Sequence, residues 1–88
     1  MYYVYILKSR KTGRHYIGYA KDVDARLQQH NAGRTISLRK HIPLEIIRVE
    51  GYSTYAEARG REQQIKKYKS GEAFRRLLKE PPAPSAGY

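Results

Sequence analysis

"YVYILKSRKTGRHYIG", residues 3–18, decides how this chain folds. Aromatic and β-branched side chains crowd residues 2–8, which predicts a strand, and a second short strand follows over 15–19. Between them lies a basic connector, Ser9 to Arg14, in which Thr12 and Gly13 mark a turn. Side chains alternate across a strand, so Tyr3, Tyr5 and Leu7 share one face, and Tyr16 and Gly18 share a face of their own. A hairpin pairing about the midpoint of Ser9–Thr12 sets Tyr5 directly opposite Tyr16. Such a pair has a structural reading, a cross-strand aromatic contact worth about 0.5–1 kcal/mol, and a chemical one, two phenols on one working surface.

Outward from the hairpin, Asp22 is placed to cap a helix over 22–32. Its Asp24 suits the positive N-terminal dipole, Val23 and Leu27 share a face, and Asn31 and Gly33 mark its end. Residues 33–43 are polar and basic and read as a loop. "LEIIRVEGY", 44–52, reads as a third strand whose Ile46, Ile47 and Val49 supply core. Thr54 and Glu57 have capping-box spacing and open a helix running to about Lys69. Ser70 and Gly71 break it, and Phe74, Leu77 and Leu78 recur at helical spacing in a short last helix. The tail 81–88, "PPAPSAGY", has little to bury and is expected to be disordered. The fold class is therefore α/β: one domain over 1–80, a small, mainly antiparallel three-stranded sheet flanked by helices in the order β-β-α-β-α-α.

Composition narrows the partners. Eighteen Lys and Arg against eight Asp and Glu leave a net charge of +10 on 88 residues, which favours polyanions, nucleic acid ahead of anionic membrane or an acidic protein. No cysteine means no disulfide framework and no thiolate zinc site, and His15, His30 and His41 lack ligand spacing. No apolar run approaches the roughly 20 residues that span a bilayer, and the first residues lack a signal-peptide layout. A cytoplasmic address and no membrane partner are the expectation.

Three groups could carry chemistry. Arg26 and His30, four apart, project from one face of the first helix. On the next long helix Glu62 falls on the apolar stripe of Ala58 and Ile65, and a carboxylate aimed inward is paired or holds a metal. A lone carboxylate suits Mg²⁺ or Mn²⁺, since magnesium keeps most of its waters and shares ligation with substrate phosphate. Lys66, Lys67, Lys69, Arg75, Arg76 and Lys79 read either as solvated helix surface or as a phosphate-tracking face. With Lys8, Arg26 and Arg39 they make the candidate nucleic-acid contacts.

Together these residues resemble the GIY-YIG nuclease superfamily over Tyr2 to about Lys79. "YVY" at 3–5 stands at the first motif, though without its glycine, and "YIG" at 16–18 matches the second. Arg26 follows Tyr16 by ten residues, as the family's helix arginine does, and His30 sits where members carry His or Tyr. "GREQQIKK" looks like the segment that bears the family's metal-binding glutamate, here Glu62. The small stand-alone members, relatives of the catalytic N-terminal domain of the bacterial excision-repair nuclease, look most similar. The resemblance implies DNA cleavage with one Mg²⁺ or Mn²⁺ ion on Glu62, RNA being left open as a substrate. It implies Tyr5 as base, Tyr16 as its partner, Arg26 on the phosphate, His30 beside it, and Tyr3 and Gly18 as motif structure. Arg26, a bound metal and the positive field are expected to favour the Tyr5 phenolate. The family's later asparagine is absent, Asn31 being the chain's only one, so a nucleic-acid-binding module with a degenerate site is the alternative.

Overall fold

Alternation along the first strand divides the molecule into two cores. The computed structural model describes residues 1–68 and 71–80, so Lys69 and the tail expected to be disordered lie outside the described residues. Strands β1 (Tyr2–Ser9), β2 (His15–Ala20) and β3 (Leu44–Tyr52) form one sheet in the order β2-β1-β3, antiparallel at both junctions. Helices α1 (Val23–Asn31), α2 (Tyr55–Tyr68) and α3 (Glu72–Lys79) complete the expected α/β order. Val4 and Ile6 pack with Ala58, Ile65, Phe74 and Leu77 under α2 and α3. Tyr5 and Leu7 pack with Val23, Leu38, Leu44 and Val49 on the α1 side. β1 is thus covered on both faces, which is why Val4 to Leu7 form an unbroken buried run rather than an alternating one.

The hairpin register differs from the expected one by two residues. Tyr5 pairs with Gly18, and Tyr16 pairs with Leu7. The cause is the turn: Gly13, at φ +77°, adopts the left-handed backbone that glycine tolerates, and Ser9 N–H reaches Arg14 O at 2.8 Å, so the loop is centred later than Ser9–Thr12 implies. The Ser9 hydroxyl holds this loop, accepting from Lys11 and Thr12 N–H at 3.1 and 2.9 Å while donating to His41 O at 2.6 Å. An even shift keeps every side chain on its expected face.

Two further expectations are corrected. The segment 33–43, read as loop, contains a 3₁₀ helix over Ile36–His41 that buries Leu38 and His41. Ile47, assigned to the core, is 37% exposed, because the β1–β3 register passes from Ile6–Arg48 to Leu7–Ile46 and leaves Ile47 as the extra residue of a bulge.

Arg48 and Glu50, whose charges suggest surface, are buried under α3. Glu50 accepts from Arg48 at 2.7 Å, from Arg61 at 2.7 and 3.1 Å, and from Tyr52 at 2.6 Å. Arg48 also donates to the carbonyls of Leu77 and Glu80 at 3.1 and 2.6 Å, tying the end of α3 to β3. Burial alone raises the pKa of Glu50, but the hydrogen bonds from Arg61, Tyr52 and Arg48 outweigh it and hold the carboxyl at about 2 instead of 4.5. Burial, aided by the Glu50 carboxylate, pushes the Tyr52 phenol up to about 12.

A carboxyl that is more acidic when folded contributes stability that is complete above its unfolded pKa of 4.5 and is lost as pH falls toward about 2. The contribution is on the order of 3 kcal/mol. Urea unfolding of the wild type and Glu50→Gln should therefore differ by about 3 kcal/mol at pH 7, with a gap that narrows steadily between pH 5 and about pH 2. A gap independent of pH counts against the network.

Candidate active site

β1 lies at the centre of the sheet, and from it the Tyr5 side chain reaches across its neighbour β2. The route exists because Gly18 has no side chain: a Cβ there would stand 2.5 Å from the Tyr5 hydroxyl and 2.7 Å from its Cζ. Tyr5 is 6% exposed, yet its hydroxyl makes no hydrogen bond to any described residue and is not among fully buried polar atoms left unsatisfied. The ring is therefore embedded in the α1-side core while its oxygen reaches the surface. Burial raises the Tyr5 pKa, Arg26 works against that and Glu62 adds to it. This corrects the expectation of a favoured phenolate: desolvation of the ring outweighs the guanidinium.

Asp22 starts α1 by accepting from Ala25 N–H at 3.0 Å, which sets the helix phase so that Arg26 is exposed and His30 is buried. Arg26 makes no side-chain hydrogen bond or ion pair among the described residues, and its charge acts on both Tyr5 and His30. A shallow hollow lined by Ala20, Lys21, Asp22, Ala25, Arg26 and Gln29 opens beside it. His30 Nδ1 lies 2.7 Å from the Thr35 hydroxyl, and burial, then Arg26, lower its pKa, keeping the ring neutral near pH 7. Asn31 fixes the far end of α1 through a pair of bonds with Leu44, its Oδ1 accepting at 2.8 Å and its Nδ2 donating at 3.1 Å.

Glu62 comes from the opposite face of the sheet, on the buried stripe of α2 with Ala58 and Ile65 as its spacing implies. One oxygen lies 3.5 Å from Lys66 Nζ and the other accepts from Gln63 Nε2 at 3.1 Å. No group of three or more His, Asp or Glu gathers among the described residues. A protein-only cage is thus not what these residues offer. One buried carboxylate is a donor set that fits a single Mg²⁺ or Mn²⁺ completed by water and phosphate oxygens.

Tyr5, Arg26, His30 and Glu62 are thereby linked through their electrostatics, while Tyr16 stands apart. No hydrogen bond joins it to Tyr5 among the described residues, and its half-buried ring packs on His41, centroids 5.4 Å apart. His41 has no ligand or catalytic spacing in the sequence; its ring bonds the Thr12 hydroxyl at 2.8 Å, and burial with Lys40, Arg14 and Lys11 nearby lowers its pKa. Only the sequence proximity of His41 to the loop's basic cluster could have pointed to it. Tyr3 is half-buried against the α1-side core.

The basic residues do not form one stripe. Arg26 stands on α1, and Arg39, on the 3₁₀ helix, donates to Gly33 O at 2.6 Å. Lys66, Lys67, Arg75 and Arg76 belong to the helices on the opposite face of the sheet, where Lys66 faces Glu62 and Arg76 pairs with Glu72 at 2.8 Å. Lys8 is exposed near the end of β1, opposite His15. Among the described residues no helix is long and apolar enough to cross a membrane.

Residues 1–73 match the family model described as the GIY-YIG catalytic domain, and the chain belongs to that family. Within it the chain is similar to small stand-alone proteins. A UPF0213 protein of Staphylococcus aureus strain Mu3 and the UPF0213 protein SAV0488 of strain Mu50 are each 41% identical to it over 80 residues, covering 90% of this chain and 95% of theirs. The solution NMR structure of the UPF0213 protein BH0048 from Bacillus halodurans is 26% identical, with a TM-score of 0.46 over 92% of this chain and 99% of that one.

Gly18→Ala places a methyl group 2.5 Å from the Tyr5 hydroxyl and 2.7 Å from its Cζ, inside van der Waals contact. The ring, buried on its other sides, must shift, at a cost of about 1–3 kcal/mol. Thermal melting should show that loss, and the Tyr5 ring resonances should move. Wild-type stability together with an unmoved Tyr5 would remove the close approach from the account.

Proposed function

We propose that this protein is a metal-dependent endonuclease that hydrolyses DNA phosphodiester bonds with a single divalent ion. The observation that carries the reading is the Tyr5 phenol, whose oxygen lies over Gly18 with no hydrogen-bond partner among the described residues, under the opposed influence of Arg26 and Glu62. Membership of the GIY-YIG family supports a nuclease-type activity, and the charge of +10 supports a polyanionic substrate.

Arg26, exposed and without an ion-pair partner among the described residues, offers its planar fork to the non-bridging oxygens of the scissile phosphate. Tyr5 accepts the proton of the attacking water, and Tyr16 supports the surface on which that water sits. His30, neutral and oriented by Thr35, positions the phosphate or shares the proton. Glu62 would hold the Mg²⁺ or Mn²⁺ ion, which supplies charge neutralisation beside the leaving oxygen. Because burial raises the Tyr5 pKa, the fraction of phenolate grows with pH across the neutral range, and cleavage should rise through pH 9.

A second reading is a binding module that has lost efficient turnover. It is favoured by the absence of any asparagine beyond Glu62. Nicking of supercoiled plasmid with and without Mg²⁺ separates the two. Tyr5→Phe should keep its melting temperature and DNA affinity while cleavage falls by about 10²- to 10⁴-fold and loses its rise with pH. Glu62→Gln should abolish stimulation by Mg²⁺ and leave DNA affinity equal or slightly higher. Full nicking in both variants contradicts the assignment, and no nicking by the wild type at any metal concentration selects the binding module.

A further inference from the structure

On the α2 side of the sheet three tyrosines from three elements meet at the surface. Tyr2 lies on β1, Tyr19 on β2, and Tyr55 is the first residue of α2. The Tyr55 ring stands at 79° to both of the others, with centroids 6.0 Å from Tyr2 and 5.4 Å from Tyr19, and its hydroxyl hydrogen-bonds that of Tyr19 at 3.2 Å. These edge contacts fix the ring while leaving Tyr55 48% exposed. Cations surround it. Lys21 Nζ lies 5.2 Å from the Tyr2 centroid, and the hydrogen bond with Tyr55 together with Arg59 lowers the pKa of Tyr19. Tyr2 and Tyr19 also pack against the α2-side core, whereas Tyr55 is not part of that core and has no place in the candidate site.

Its position is as informative as its composition. Tyr55, Arg59 and Glu62 are spaced i, i+4, i+7 and so follow one stripe of α2. The rise from Tyr55 to Glu62 is about 10 Å, the length of about three stacked nucleotides. Lys21 also lines the hollow that opens beside Arg26. The aromatic cluster is thus connected to the candidate site twice, to Glu62 along α2 and to Arg26 through Lys21.

We propose that the exposed Tyr55 ring is a stacking platform for an unpaired nucleobase close to the scissile phosphate, with Lys21 and Arg59 on the flanking phosphates. The inference rests on the nuclease reading above and gives it a substrate class: DNA with an unpaired nucleotide, rather than continuous duplex. A paired base has both faces occupied by its neighbours and has none to offer, whereas a bulged or single-stranded base does, whatever its identity. Phosphates flanking it complement the cations, as a neutral or basic protein partner would not.

Two duplexes of equal length serve as probes, one fully paired and one carrying a single bulged 2-aminopurine, with binding followed by anisotropy and by 2-aminopurine emission in the absence of metal. The wild type should bind the bulged duplex about tenfold more tightly and quench its emission on binding. Tyr55→Ala should lose both the preference and the quenching while binding the paired duplex within about twofold of wild type, and Tyr55→Phe should keep both. An unchanged melting temperature checks that Tyr55→Ala, altered at a half-exposed site, stays folded. Binding to both duplexes without preference, or a preference that survives in Tyr55→Ala, overturns the platform and leaves the nuclease reading standing. Failure to bind either duplex overturns both.

Discussion

At Gly18 the absence of a side chain allows a buried phenol to cross an edge strand and present its oxygen to the surface. A Cβ at that position would clash with the Tyr5 hydroxyl at 2.5 Å, so the ring's path, the strand register and the glycine are one constraint. The register is in turn held by the turn, where Gly13 supplies the left-handed backbone and Ser9 ties the loop to His41 at the end of the 3₁₀ helix. A slip of one residue would send Tyr5 and Leu7 to the α2 side and expose the core to which they belong.

The sheet is thin, and both of its faces contribute residues to the candidate site. α1 brings Arg26 and His30 from one side, and α2 brings Glu62 from the other, so the geometry depends on both cores being in place. The ionic cluster of Arg48, Glu50 and Arg61 secures the α2 and α3 side. It satisfies a buried carboxylate four times over and closes the end of α3, and so adds a polar clamp to a core too small to rely on apolar area alone.

Much of this was legible in local chemistry. The Asp22 cap is made as its spacing implies, and so is the hydroxyl half of the Thr54–Glu57 box, in which Thr54 Oγ1 accepts from Glu57 N–H at 3.2 Å; the Glu57 carboxylate accepts from the Thr54 hydroxyl at 3.0 Å rather than from its backbone N–H. The inward direction of Glu62 followed from helical periodicity. What sequence left unread was set by tertiary partners. The loop that centres the hairpin is anchored by a bond from Ser9 to His41, 32 residues away. The exposure of Ile47 depends on a bulge that no local pattern announces. The burial of Arg48 and Glu50 has no local signal, because it is made possible by each other, Arg61 and the α3 carbonyls. The direction of the Tyr5 pKa was misjudged because net charge was visible and desolvation was not.

The central claim is that Tyr5 is a desolvated phenol subject to the opposed charges of Arg26 and Glu62. It is tested most directly by following the Tyr5 ¹³Cζ resonance against pH in the wild type, Arg26→Ala and Glu62→Gln. The account predicts a titration above the ordinary 10.0 in the wild type, displaced further upward by loss of the guanidinium and downward by loss of the carboxylate. A Tyr5 that titrates at 10.0 in all three proteins would contradict it.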